Sequence, residues 1–176
     1  MRKLLNDELN RKSLEQFRRA DKSPFVIILD NVRSHSNVGS IFRTADAFLV
    51  KAVYLCGITA QPPHRDIRKT ALGATESVAW RYFSNTSDAI KELKEEGYTI
   101  AGIEQAEDSV YLQNIQIKKE EKYVLVFGHE VNGVSQHVLD LCDLCIEIPQ
   151  FGTKHSFNIA ISAGIVLWEL NKQYSS

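Results

Sequence analysis

Three stretches of this chain gather residues that can bind a ligand and stabilise charge. The first is Asp30-Asn-Val-Arg-Ser-His-Ser-Asn-Val-Gly-Ser-Ile-Phe-Arg-Thr-Ala-Asp46. Here Asn37 can cap a helix, Gly39 lets another backbone come close, and Arg43 is a cation on an otherwise apolar helix. Such an arginine either pairs with a carboxylate, for example Asp46 or Glu130, or faces a ligand. The second stretch, Phe127-Gly-His-Glu-Val-Asn-Gly-Val134, brackets Glu130 between two turn glycines. Its peptide groups can cradle a ligand, or the turn is a plain connection. The third stretch runs from Ile146 through Pro149, Gly152, Lys154, His155, Ser156 and Asn158 into an apolar helix. Helix starts leave N–H groups free, so a ligand fits there, and Ser156 and Asn158 are equally good capping residues. Neither G-x-G-x-x-G nor a P-loop is present, so a phosphate-cradling glycine loop is excluded.

Each stretch follows an apolar run, and those runs must position it. Phe25–Asp30, Ala52–Cys56, Tyr98–Ile103 and Tyr123–Phe127 read as buried strands, with a weaker one at Trp80–Phe83. Helices are expected over 3–20, Asn37–Phe48, Ser87–Glu96 with Gly97 as its cap, and Ser135–Leu141. A last helix opens at Ser156, and its segment Ile159–Leu170 has no polar face. Residues 57–70 read as a long loop. Strands alternate with helices, so the class is α/β with a mostly parallel sheet flanked by helices. The division expected is a short N-terminal helical extension over 1–23 and one domain over 24–176.

Composition narrows the partners. The 176 residues carry a net charge of −1, so no global basic field announces nucleic acid. The basic residues are uneven, however, and local patches leave RNA binding open. No apolar run is long enough to cross a bilayer and no signal core opens the chain. Three cysteines without such a signal suggest reduced thiols in a cytoplasmic protein. The Cys142-x-x-Cys145 pair lacks further ligands at zinc spacing, so no metal is expected.

Taken in order, Asn-x-Gly-x-x-x-Arg-Thr-Ala, Phe-Gly-x-Glu-x-x-Gly-Val and Ile-Pro-x-x-Gly-x-x-x-Ser-x-Asn form a specific set. The chain resembles the SpoU (TrmH-like) RNA ribose 2′-O-methyltransferases of the SPOUT superfamily over about residues 24–172. The resemblance implies an α/β fold with a C-terminal trefoil knot, a homodimer, and S-adenosylmethionine as cofactor. By the same resemblance Arg43, Asn37, Glu130, Ser156 and Asn158 are the catalytic set. Gly128, Ile148 and Phe157, with Ile103 as a strand-end wall, would hold the cofactor. Gln150 and Phe157 depart from the Met and Leu common at those positions.

The implied substrate is tRNA, at a D-loop guanosine, with ribosomal RNA as the alternative. With no separate RNA-binding domain evident before residue 24, the phosphate contacts expected are Arg33, His35, Arg65, Arg68, Lys69 and Lys154. Two other readings remain: a non-catalytic RNA-binding protein of the same fold, and a flavodoxin-like mononucleotide binder.

Overall fold

The computed structural model describes residues 1–175; Ser176, the last residue of the expected domain, lies outside them. Its centre is β1 (Ser23–Asp30), an apolar run buried on both faces. Phe25, Ile27 and Leu29 pack on one side of the sheet and Val26 and Ile28 on the other, as the two-residue period of a strand requires. Beside β1 lie β2 (Val50–Cys56) and β6 (Lys122–Phe127), both parallel to it. The remaining strands are β3 (Ala79–Phe83), β4 (Tyr98–Ile103), β5 (Val110–Tyr111) and β7 (Leu144–Glu147). The order across the sheet is β3-β2-β1-β6-β4-β7-β5, with every pairing parallel. All strands therefore end at one edge, where the connecting loops gather.

Helices cover both faces. They are α1 (Leu14–Arg19), α2 (His35–Ala47), α3 (Arg65–Ala71), α4 (Ala74–Ser77), α5 (Thr86–Glu95), α6 (Gln136–Leu139) and α7 (Ile159–Ser175). The first core joins α1, α2, α3 and α7 to one face through Phe17, Ile41, Phe42, Ile67 and Leu167. The second places Ala89, Ile90 and Leu93 of α5 and Val138 of α6 on the other.

Several expectations need correction. Residues 3–20 do not form one helix. A 3-10 turn (Asn6–Leu9) ends at Asn10 in the left-handed region (φ 48°), and Ser13 restarts the chain through a capping box with Gln16. In this segment Phe17 is buried, whereas Leu5, Leu9 and Leu14 are exposed. Strand β1 begins at Ser23, two residues before the expected Phe25. Helix α2 starts at His35, with Ser34 as the cap that accepts the Asn37 N–H, so Asn37 is inside the helix. Residues 57–70 contain the first part of α3. Helix α7 starts at Ile159 and not at Ser156; the side-chain Oδ1 of Asn158 accepts the Ala160 N–H at 2.9 Å and caps it. Tyr98–Ile103 matches its strand in full.

One buried acid fixes the working edge. Asp30 ends β1 at 1% exposure. It accepts from the Thr86 hydroxyl (2.5 Å), the Asn31 amide (2.9 Å) and the Ser135 hydroxyl (3.0 Å). The central strand is thereby tied to the starts of α5 and α6 with its charge satisfied.

Helices α2 and α3 meet at Gly39. A Cβ there would stand 2.1 Å from Thr70 Oγ1 and 2.4 Å from the Ile67 carbonyl oxygen. The carbonyl belongs to a helix backbone and cannot swing aside. Gly39→Ala should therefore destabilise the protein by about 1–3 kcal/mol, although alanine is the better helix former by roughly 1 kcal/mol. The check is a lower urea midpoint with an unchanged slope; a midpoint at or above wild type would mean the two helices part freely.

Candidate active site

The segments after β4, β6 and β7 converge on a cavity of about 530 Å³ at the strand-end edge. That size suits a nucleoside-sized ligand. All four residues expected to hold a cofactor, Gly128, Ile148, Phe157 and Ile103, line it, as do Glu130, Ser156 and Asn158. Its walls are mixed, with Phe127 and Ile159 adding apolar surface and Glu104, Gln105 and Gln150 adding polar groups.

The loop after β6 is tightly closed. His129 and Gly133 exchange backbone hydrogen bonds of 2.9 and 2.8 Å, and His129 Nδ1 accepts from the N–H groups of Val131 and Asn132. A Cβ on Gly128 would lie 2.1 Å from the Gly133 carbonyl carbon, so glycine is required for the chain to fold back. The Glu104 carboxylate accepts the Val134 N–H at 2.9 Å and holds the far end of this loop.

A hydrogen-bond relay then links the three loops. Glu130 accepts the backbone N–H groups of Arg33 (3.0 Å) and Ser34 (2.9 Å) and the side-chain amide of Asn37 (3.1 Å). Asn37 in turn accepts from the Asn158 amide at 3.0 Å. Asn158 caps α7, so the relay runs from the cavity rim into the last helix. The cover over the cavity is pinned separately: the Gln105 amide donates to the His155 carbonyl at 2.7 Å, with Gln150 donating to it at 3.4 Å.

Arg43 stands apart. It is exposed and does not line the cavity, and none of the described residues gives it a hydrogen bond or ion pair. Pairing with Asp46 or Glu130 is ruled out: Asp46 accepts from Ser77, and Glu130 serves Arg33, Ser34 and Asn37. Its neighbour Thr44 lines an apolar groove formed mainly by α7, with Ile161, Gly164, Ile165 and Trp168. Trp168 is 65% exposed, an unusual cost for so large a side chain. Ile148 belongs to both the groove and the cavity, so the two are adjacent.

Of the expected RNA contacts, Arg33, Arg65, Arg68, Lys69 and Lys154 are exposed and His35 is half-buried. Arg65, Arg68 and Lys69 share α3. Lys154 lies in the loop before α7. The cysteines are free thiols; burial pushes Cys142 up to about 12 and raises Cys145, so neither is a ready thiolate. Among the described residues no cluster of His, Cys, Asp and Glu could hold a metal, and no helix is long and apolar enough to cross a membrane. Sequence reasoning missed Glu104, Gln105 and His129. Their position just past strand ends was the available signal, but their partners are remote in sequence.

Burial alone would push the Glu130 carboxyl up; the N–H groups of Arg33 and Ser34 and the Asn37 amide outweigh it and hold it below the ordinary 4.5. A depressed carboxylate contributes stability that is full above its unfolded value and is lost as pH falls through the folded one. Glu130→Gln should therefore be less stable than wild type by a constant margin at neutral pH. In urea unfolding that margin should shrink below pH 4.5. A margin equally large in strong acid would show that the charge plays no part.

Known proteins share this fold. The 23S rRNA (guanosine-2′-O-)-methyltransferase RlmB of Neisseria meningitidis serogroup B is 34% identical over 151 residues, covering 85% of this chain and 59% of that protein. The chain spans roughly three fifths of the length of the first curated relatives it matches, between 56% and 66%. The crystal structure of an A. aeolicus TrmH/SpoU tRNA modifying enzyme superposes with a TM-score of 0.80 at 25% identity, over 92% of this chain and 82% of that one. An AdoMet-bound rRNA methyltransferase from Sinorhizobium meliloti gives 0.80 at 28% identity, over 89% of this chain and 59% of that one. A model of the SpoU rRNA Methylase family matches residues 24–168, and with the relay that joins its three motif loops the chain belongs to that family.

Proposed function

We propose that this protein transfers the methyl group of S-adenosylmethionine to a ribose 2′-hydroxyl of RNA. The observation that carries the reading is that two sequence-distant motifs line one cavity and the third is bonded to both of them through the Glu130–Asn37–Asn158 relay. The residues fit the cofactor. Ile103, Phe127, Ile148 and Phe157 offer apolar walls for a purine and a thioether, and the peptide groups of the loops after β6 and β7 can meet the base edge. Bound there, S-adenosylmethionine supplies a methyl group on a sulfonium that leaves as a neutral thioether. The last segment of the chain forms the trefoil knot implied by the family likeness.

The protein's own part is alignment and charge. Glu130, Asn37 and Asn158 have their functional groups committed to one another, so they hold the loops in register. Arg43 and Ser156 retain free groups for the RNA. Arg43 is a permanent cation and only a donor, so it stabilises the developing alkoxide, and the hydroxyl proton passes to water or an RNA phosphate. Ser156 orients the hydroxyl.

Arg43 reaches a cavity only in a second copy. The apolar groove beside it fits a homodimer seated on α7, and Ile148 joins that groove to the cavity, so each subunit's arginine serves its neighbour. Relatives named for a guanosine of 23S rRNA favour a ribosomal guanosine as target. The tRNA-modifying A. aeolicus neighbour keeps the D-loop guanosine as the second reading.

Methyl transfer from radiolabelled S-adenosylmethionine into unmodified 23S rRNA and total tRNA tests this directly. Label should map to a ribose and fall about a hundredfold or more in Arg43→Ala. Cofactor binding without label in either RNA would favour the non-catalytic RNA-binding alternative. Mixing Arg43→Ala with the cavity variant Phe157→Asp should restore activity, because one intact cavity then meets one intact arginine. Failure of the mixture to recover activity would place Arg43 in its own subunit's cavity.

A further inference from the structure

Away from the cavity, two imidazole rings lie against each other. His35 opens α2 and His64 precedes α3; their ring centroids are 3.9 Å apart with planes inclined by 23°. Both residues are half-buried, so the stack keeps solvent-facing surface. Capping explains only part of the pair: His64 Nδ1 accepts the Asp66 N–H at 3.2 Å, whereas the His35 ring has no hydrogen-bond partner among the described residues. Arg33 in the loop before α2, and Arg65, Arg68 and Lys69 on α3, are all exposed, and none forms an ion pair with a described carboxylate. Unpaired cations beside an open aromatic stack match a ligand that is both anionic and flat. The stack is also close to the site, since His35 is two residues from Asn37 on the first turn of α2.

We propose that His35 and His64 form a stacking platform for an unpaired base of the RNA, with Arg33, Arg65, Arg68 and Lys69 holding the flanking phosphates. This rests on the reading that the protein acts on RNA. Unpaired bases are recognised by stacking on aromatic rings, and phosphates by arginine and lysine. The platform would seat a nucleotide next to the one being modified and so fix which ribose enters the site.

The two contributions separate by experiment. Binding of the full chain to a labelled oligoadenylate is compared with binding to an abasic strand of equal length, and total unmodified tRNA serves as a third probe. Wild type should prefer oligoadenylate by roughly tenfold or more. His35→Ala should abolish the preference and His35→Phe should keep it. His64→Asn, which retains an acceptor for the Asp66 N–H, should also lose it while unfolding at the wild-type temperature. Arg65→Gln and Arg68→Gln should weaken both strands alike and lower the salt slope by about one each. Equal binding of both strands by wild type, binding of tRNA but of neither strand, or a preference that survives His35→Ala would overturn the platform while leaving the RNA reading in place. No binding of any of the three probes would overturn both.

Discussion

The Glu130 carboxylate is the constraint on which the site depends. It accepts three donors from residues more than ninety positions earlier in the chain. Asn37 then relays the interaction because an amide both donates and accepts. The donors all point one way: Ala160 N–H to Asn158, Asn158 to Asn37, Asn37 to Glu130. The relay therefore runs from the positive start of α7 to a negative charge, with each dipole aligned with the next. A carboxylate at position 37 or 158 could not act as such a relay, since it would set an acceptor against an acceptor.

The relay closes only because the sheet delivers its members to one edge. With every pairing parallel, the ends of β1, β6 and β7 open on the same side. Asp30 keeps that edge in register by binding the starts of α5 and α6, and Gly39 lets α3 press against α2. Both are short-range steric or polar conditions, and both concern α2 or the strand that leads into it. The motif loops are thus supported from beneath by a strand end and from the side by a helix contact.

What was legible in the sequence was what is apolar and periodic. Continuous runs such as Phe25–Asp30 and Tyr123–Phe127 have no other stable place than the middle of a parallel sheet. Helix α3 was missed because its buried stripe is only Ile67 and Ala71, too narrow to register as a period; contact at Gly39 holds it instead. Strand β5 has two residues, both exposed, and exists only through pairing with β7. The cap of α2 was assigned to Asn37 when Ser34 holds it, because both are good capping types and only the tertiary bond to Glu130 decides between them. The motif residues were legible as a set, but their mutual bonds were not, since nothing local fixes which amide meets which carboxylate.

Polar groups in this chain divide into those that are committed and those that are not. Buried and rim groups such as Asp30, Glu130, Asn37 and Asn158 are saturated by their neighbours, which is the condition for holding a shape. Arg43 and the cations of α3 are exposed and uncommitted within one chain, and so is the apolar surface of Trp168. A cation kept free beside a motif relay costs the fold little, whereas an exposed tryptophan forgoes the gain of burial. The free cations and the bare indole are therefore left available for contact with other molecules. The saturated groups explain why the cavity holds its form, and the unsaturated ones are the groups that the proposed reading gives to a second copy and to RNA.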